Sequence, residues 1–159
     1  MSRLVGKELS EELFGRLSGE DIAAQMGKAI VIVTVDEDGS ARPAMLSYHE
    51  VVAKDRSRID LAIGKTSATA RNLRRTGKIT LLITDSGVNF YLKGRALELR
   101  ESMEGVPFMS LFRVESEQVL EDQEPDAVIT SGVTFSRPKK EVSQIVEKIF
   151  EGVRKEKLE

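Results

Sequence analysis

The chain has no cysteine, no tryptophan and one histidine among 159 residues, with four prolines and two tyrosines. The missing cysteines exclude disulfides, thiolate nucleophiles and sulfur-ligated metal sites. With one imidazole and no thiolate, a conventional metal centre would depend on carboxylates, and no spaced carboxylate cluster occurs. No Gly-x-Ser-x-Gly turn is present to hold a hydrolase serine. Charge of one sign is also lacking: the formal net charge is −2, with 31% charged residues of both kinds. That balance supplies no field for gripping a polyanion, so no nucleic-acid partner is expected. The most apolar stretch, residues 29–35, is far too short to span a bilayer. No apolar run of signal-peptide length opens the chain. A cytoplasmic location without membrane contact is expected.

What is present fits a folded domain. Apolar residues make up 40% of the chain, and its length suits one domain, residues 1–159, with a sizeable core. Ser10 ahead of Glu11, Glu12 and Leu13 predicts a capped helix. Ser18 with Asp21 reads as a second helix start, running through Ile22, Ala23 and Met26 to a stop at Gly27. Residues 29–35 are β-branched and read as a buried strand. Residues 36–39 form a turn ending in Gly39, and residues 40–48 return as the other arm of a hairpin. Pro43 lacks an N–H, which makes this second arm an edge or a bulged strand.

Further strands are predicted over residues 58–63, 79–84, 88–97, 108–114 and 128–135. Gly94, inside the long central one, marks a bulge or a close backbone approach. Between the first two, Thr66 or Ser67 caps a short helix that reaches Arg75 and closes at Gly77. Residues 121–126 are acidic and read as an exposed loop. Pro138 opens a final helix to residue 157, with Val142, Ile145, Val146, Ile149 and Val153 forming one apolar face. Many short strands, one inserted helix and helices at both ends predict the α+β class, built on a small antiparallel barrel.

Chemistry concentrates in residues 63–73. A glycine, a lysine, three hydroxyls and an arginine surround a helix N-terminus, where open N–H groups and the helix dipole favour an anion. Thr66, Ser67 and Thr69 can donate to phosphate oxygens, while Lys65 and Arg71 supply charge. A plain capped surface helix accounts for the same residues. The Gly-x-x-x-x-Gly-Lys-Ser/Thr pattern is missing, so this is no P-loop. On the proline-bearing edge strand, backbone groups of residues 42–46 can meet the polar rim of a flat heterocycle, or the strand is an ordinary edge with Arg42 in solvent. Residues 89–96 are a core strand, or they place Asn89 or Tyr91 near a bound ring. His49, beside Tyr48, reads as structural or solvated rather than catalytic.

Segments 33–43, 59–75 and 89–96 follow one another in an order that resembles the pyridoxamine 5′-phosphate oxidase-like family of FMN-binding split barrels. The resemblance covers roughly residues 28–99. It implies a six- to seven-stranded antiparallel split β-barrel and a homodimer with FMN sites at the interface. Arg42, Pro43, Ala44, Met45 and Leu46 would line the flavin ring, with Ala62 and Ile63 beside it. Thr66, Ser67, Ala68 and Thr69 would hold the phosphate, helped by Lys65, Arg71 and Asn72. Asn89 would reach the flavin from the partner chain. The implied activity is a flavin-dependent oxidoreductase acting on a small-molecule substrate or a nicotinamide cofactor. The authentic oxidase carries a C-terminal tryptophan, which this chain lacks, so a different member of the family is implied. Non-catalytic binding of flavin, deazaflavin or haem is the alternative that the same fold offers.

Overall fold

A computed structural model describes residues 1–158. Its strands are β1 (Ser2–Gly6), β2 (Ala29–Val35), β3 (Ala41–Ser47), β4 (Val51–Ala53), β5 (Arg58–Gly64), β6 (Lys78–Asp85), β7 (Val88–Arg100) and β8 (Met109–Asp122). Its helices are α1 (Glu11–Leu17), α2 (Ala68–Thr76) and α3 (Lys140–Lys155). The sheet is antiparallel in the order β3-β2-β6-β7-β8-β5-β4, with β1 paired to the end of β8. The two ends of that path, β3 and β4, are consecutive in the chain and joined by the short 3-10 turn Tyr48–Glu50. The sheet therefore curls until its ends approach each other at this turn, which gives the expected split barrel.

Alternation along the strands sorts side chains between the barrel interior and the outer face. On β2, Ile30 and Ile32 are fully buried while Val31 and Val33 are half-buried. The interior is filled by Ile30, Ile32, Leu61, Leu81, Ile83, Leu92 and Phe112. A second apolar layer lies where α3 covers the outer side of β4 and β5, with Val52, Ala62, Leu111, Ile149, Phe150 and Val153 in contact. At the C-terminal end of α3, Lys54 Nζ donates to the carbonyls of Val153 and Arg154 at 2.7 and 2.8 Å. A cation at the negative end of the helix dipole fixes that end to the barrel. Among the described residues no helix is long and apolar enough to cross a membrane.

Several sequence expectations are corrected. Ser18 closes α1, its N–H bonding to Phe14 O, instead of starting a second helix. Asp21 caps no amide, and only the four-residue 3-10 turn Ile22–Gln25 forms. Gly19 and Gly27 both have positive φ, and the span between them is too short to repay helix nucleation. Residues 128–135 form no strand. They cross the ends of other elements, bonding Ala29 N to Val133 O and Gly87 N to Ile129 O, with a single bridge between Lys28 and Thr134. The sixth predicted strand is instead the long β8, which absorbs Glu121 and Asp122 from the acidic run. The final helix starts at Lys140, after Pro138, and ends at Lys155. Its buried face is Val146, Ile149, Phe150 and Val153, while Val142 and Ile145 are exposed.

Candidate functional site

The cradle forms where β5 ends at Gly64 and the chain turns into α2. Ser67 is the N-cap, with Oγ accepting the Ala70 N–H at 3.1 Å. The first N–H groups of a helix have no carbonyl one turn back. With Ala70 capped and Arg71 N bonded to Ser67 O, the amides of Ala68 and Thr69 remain the open donors at the positive end of the helix dipole. Gly77, in the left-handed region at φ 69°, closes α2 by donating to Leu73 O. Thr66 is exposed and Thr69 is buried.

Arg71 folds back on the turn, Nη1 donating to Thr66 O at 2.8 Å. Arg42, Ala68, Arg71 and Asn72 meet around one open cleft of about 510 Å³, joined by Arg75 and the 36–38 turn. The structure thus brings the proline-bearing edge strand and the helix cradle to one place. Asn72 is the joint between them. Its Nδ2 donates to Thr34 Oγ1 at 3.1 Å and to Asp36 Oδ1 at 2.8 Å, and its Oδ1 accepts from Arg75 Nη2 at 3.2 Å. Arg75 Nη2 also donates to Val35 O.

Asp36 Oδ1 accepts from Arg42 Nε at 2.7 Å. The bonds from Arg42 and then Asn72 hold its carboxyl below the ordinary aspartate range, and the same bond raises the Arg42 guanidinium. Asp38 is used within its own turn, accepting from Ser40 N at 2.9 Å and Ser40 Oγ at 2.6 Å. Neither Arg71 nor Arg75 forms a salt bridge among the described residues, although the Arg75 charge also lowers the Asp36 carboxyl. The cleft, which the 36–38 turn also lines with carboxylates, offers the guanidiniums of Arg71 and Arg75 next to open helix amides, donors that suit a phosphate. Arg75 was missed in the sequence. It lies one turn after Arg71 on the same helix face, and that i,i+4 spacing is the signal that points to it.

Not every expected residue joins this cleft. Lys65 turns away, Nζ donating to Ser102 Oγ at 2.8 Å and lying 3.4 Å from Glu101 Oε1. Pro43, on β3, stands opposite Val33 of β2, and β3 has no neighbour on its other side. Its missing N–H therefore costs no ladder bond. Arg42, Ala44 and Leu46 point to one side of β3, and Pro43 and Met45 to the outer face. Ala62 is buried in the layer beneath α3, and Ile63 in the barrel interior.

Asn89 pairs with Thr84, whereas Arg42 pairs with Thr34, which extends the β2–β6 register to Ile79. Five residues of strand, about 17 Å, separate the two positions along β6. Asn89 is instead fixed by Thr84 Oγ1 at 2.8 Å, Tyr91 Oη at 3.2 Å and Asp122 O at 3.0 Å. Tyr91 Oη donates to Asp122 Oδ2 at 2.8 Å, which raises the phenol's pKa.

No family model matches the chain. It is 32% identical over 125 residues to the uncharacterized protein YclD of Bacillus subtilis (strain 168), covering 79% of this chain and 81% of that protein. A candidate pyridoxamine 5′-phosphate oxidase from Lactobacillus delbrueckii superposes with a TM-score of 0.59 at 17% identity, over 75% of this chain and 98% of that one. An FMN-binding protein from Syntrophomonas wolfei superposes at 0.53 and 19% identity, over 71% and 88% of the two chains. The haem storage protein HutZ of Vibrio cholerae gives 0.51 and 15%, over 70% and 93%. At these identities the three structures share the fold.

Proposed function

Since the chain belongs to one family with Bacillus subtilis YclD and folds as a pyridoxamine 5′-phosphate oxidase-like split barrel, we propose that it is a cytoplasmic FMN-binding oxidoreductase. The observation that carries this reading is the cleft in which Arg71 and Arg75, neither in a salt bridge among the described residues, stand beside the open amides of Ala68 and Thr69 at the start of α2. A phosphomonoester dianion suits that donor set. Thr66 and Ser67 flank the same turn, Arg42 approaches from β3, and Lys65 braces the loop from behind. The free edge of β3, residues 42–46, offers main-chain donors and acceptors to the rim of a planar ring. Bound FMN would supply hydride or electron transfer. The chain's own residues bind the phosphate, orient the ring and exclude water.

The working unit in this proposal is a homodimer. Met45, Val31, Leu82, Tyr91, Leu120 and Leu4 stand opposite one another in sequence across six strands. They form one row on the outer face of the sheet, with Met45 64% and Leu4 61% exposed. A row of this length, half-buried along its middle and exposed at both ends, supports an interface there. Asn89 and Tyr91 lie on the same face, so a second copy seated there carries Asn89 toward the first copy's flavin.

Haem is disfavoured by the position of His49. The chain's sole imidazole is 3% exposed, packed edge-on against Phe150, and it lines a different cleft from the one formed by Arg42, Arg71 and Asn72, so it supplies no axial ligand there. Purification without added cofactor, followed by an absorbance spectrum and mass identification of the released small molecule, tests the reading. Flavin bands and the mass of FMN are expected. A Soret band, or the mass of a deazaflavin, would replace FMN with that cofactor. Bound FMN that neither a reduced nicotinamide nor oxygen can turn over would leave a carrier instead of an oxidoreductase.

A further inference from the structure

A second cleft, of about 300 Å³, lies between the 3-10 turn Tyr48–Glu50, residues 135–137 and the start of α3. Its floor is His49. The ring is almost fully buried, yet its Nε2 has no hydrogen-bond partner. Glu147 Oε1 lies 3.3 Å from Nε2, on a half-exposed side chain at the rim, without hydrogen-bond geometry. A buried ring nitrogen left unbonded costs free energy, and one that faces a cleft is placed to be completed from outside the chain.

Two further features converge on the cleft. Arg137 stacks over the Phe135 ring, 4.4 Å from its centroid, and has no carboxylate partner among the described residues. Lys139 is the N-cap of α3 and supplies no side-chain cap. Of this 16-residue helix, Ser143, Val146 and Glu147 form part of the cleft wall. An uncapped helix start and an unpaired guanidinium together favour a carboxylate. Glu147 and the Nε2 lone pair favour an ammonium. Met26 and Val146 give the remaining wall an apolar surface.

From this charge pattern we propose that the cleft binds a small aliphatic α-amino acid. The carboxylate meets Arg137 and the Ser143 hydroxyl. The ammonium meets Glu147 beside His49 Nε2, and the side chain lies on Met26 and Val146. The site is separate from the flavin cleft and does not depend on that reading.

Because His49 is the only histidine, its ring resonances report on the site without ambiguity. The test is an NMR titration of the full chain with L-leucine, isocaproate, which lacks the ammonium, and isoamylamine, which lacks the carboxylate. L-leucine should shift the His49 signals saturably, with each analogue weaker by about tenfold or more, the effect of losing one charge-assisted contact. Arg137→Gln and Glu147→Gln should each weaken leucine binding to the same extent, with melting curves unchanged. No saturable shift at millimolar leucine overturns the site. Equal binding of either analogue, or unchanged affinity in Arg137→Gln, overturns its assignment to a zwitterion.

Discussion

Arg42 Nε lies 2.7 Å from Asp36 Oδ1, so a carboxylate from the hairpin turn holds the edge-strand guanidinium over the cleft. The pair is largely exposed, with 46% and 24% of the two side chains open to solvent, and such pairs add little to stability. Arg42→Ala should therefore leave the melting temperature unchanged. It should weaken FMN binding by about tenfold, the value of one charge-assisted contact, as read by quenching of flavin fluorescence.

Acid stability should depend on Asp85. Burial pushes its carboxyl up, but hydrogen bonds from Lys28, the Ser86 N–H and Arg16 outweigh it and bring the pKa to about 2. The Lys28 and Arg16 contacts are 2.7 and 2.6 Å long. A folded pKa below the ordinary 3.8 means that this stabilisation is complete above that value and is lost as pH falls from there toward about 2. Asp85→Asn should be less stable than the parent at neutral pH. Urea denaturation at a series of pH values should show the difference shrinking across that acid window.

Gly94 sits at the register shift between β7 and β8. A Cβ there would lie 2.5 Å from Glu115 O and 2.6 Å from Val114 Cγ1. One of these is main chain within the ladder and has little room to move. Gly94→Ala should cost about 1–3 kcal/mol in urea unfolding, the range for overpacking a filled site.

The outer row should govern assembly. Met45→Lys places a charge at the exposed end of the apolar row, on an edge strand, where folding of one chain does not require burial. Light scattering should report a monomer for this variant and a dimer for the parent. Flavin retention should fall with the dimer. A variant that remains dimeric would remove this face as the interface.

The sequence made some of these features legible and hid others, for physical reasons. Ser67 and Gly77 bound α2 as anticipated, because an N-cap hydroxyl and a left-handed glycine act locally. Pro43 identified β3 as an edge for a similar reason: a missing N–H cannot be supplied by tertiary context. The failures are non-local. Residues 128–135 alternate like a strand, but their carbonyls go to Ala29 and Gly87 at element ends. The polar stretch of β8 continues as strand because β7 and β1 flank it, which composition does not reveal. In the candidate site, Arg42 and Arg71 were visible as charges. Their meeting around one cleft, with Asn72 bonded to both Thr34 and Asp36, depends on how α2 lies across β2.

The most direct measurement of the central claim is an FMN titration of the parent chain alongside an Arg71→Ala/Arg75→Ala double variant, followed by desalting and an absorbance spectrum. The account predicts saturable binding by the parent, with flavin bands retained after desalting, and loss of both in the folded variant. A parent chain that stays colourless with added FMN, or a variant that retains flavin as well as the parent does, would contradict it.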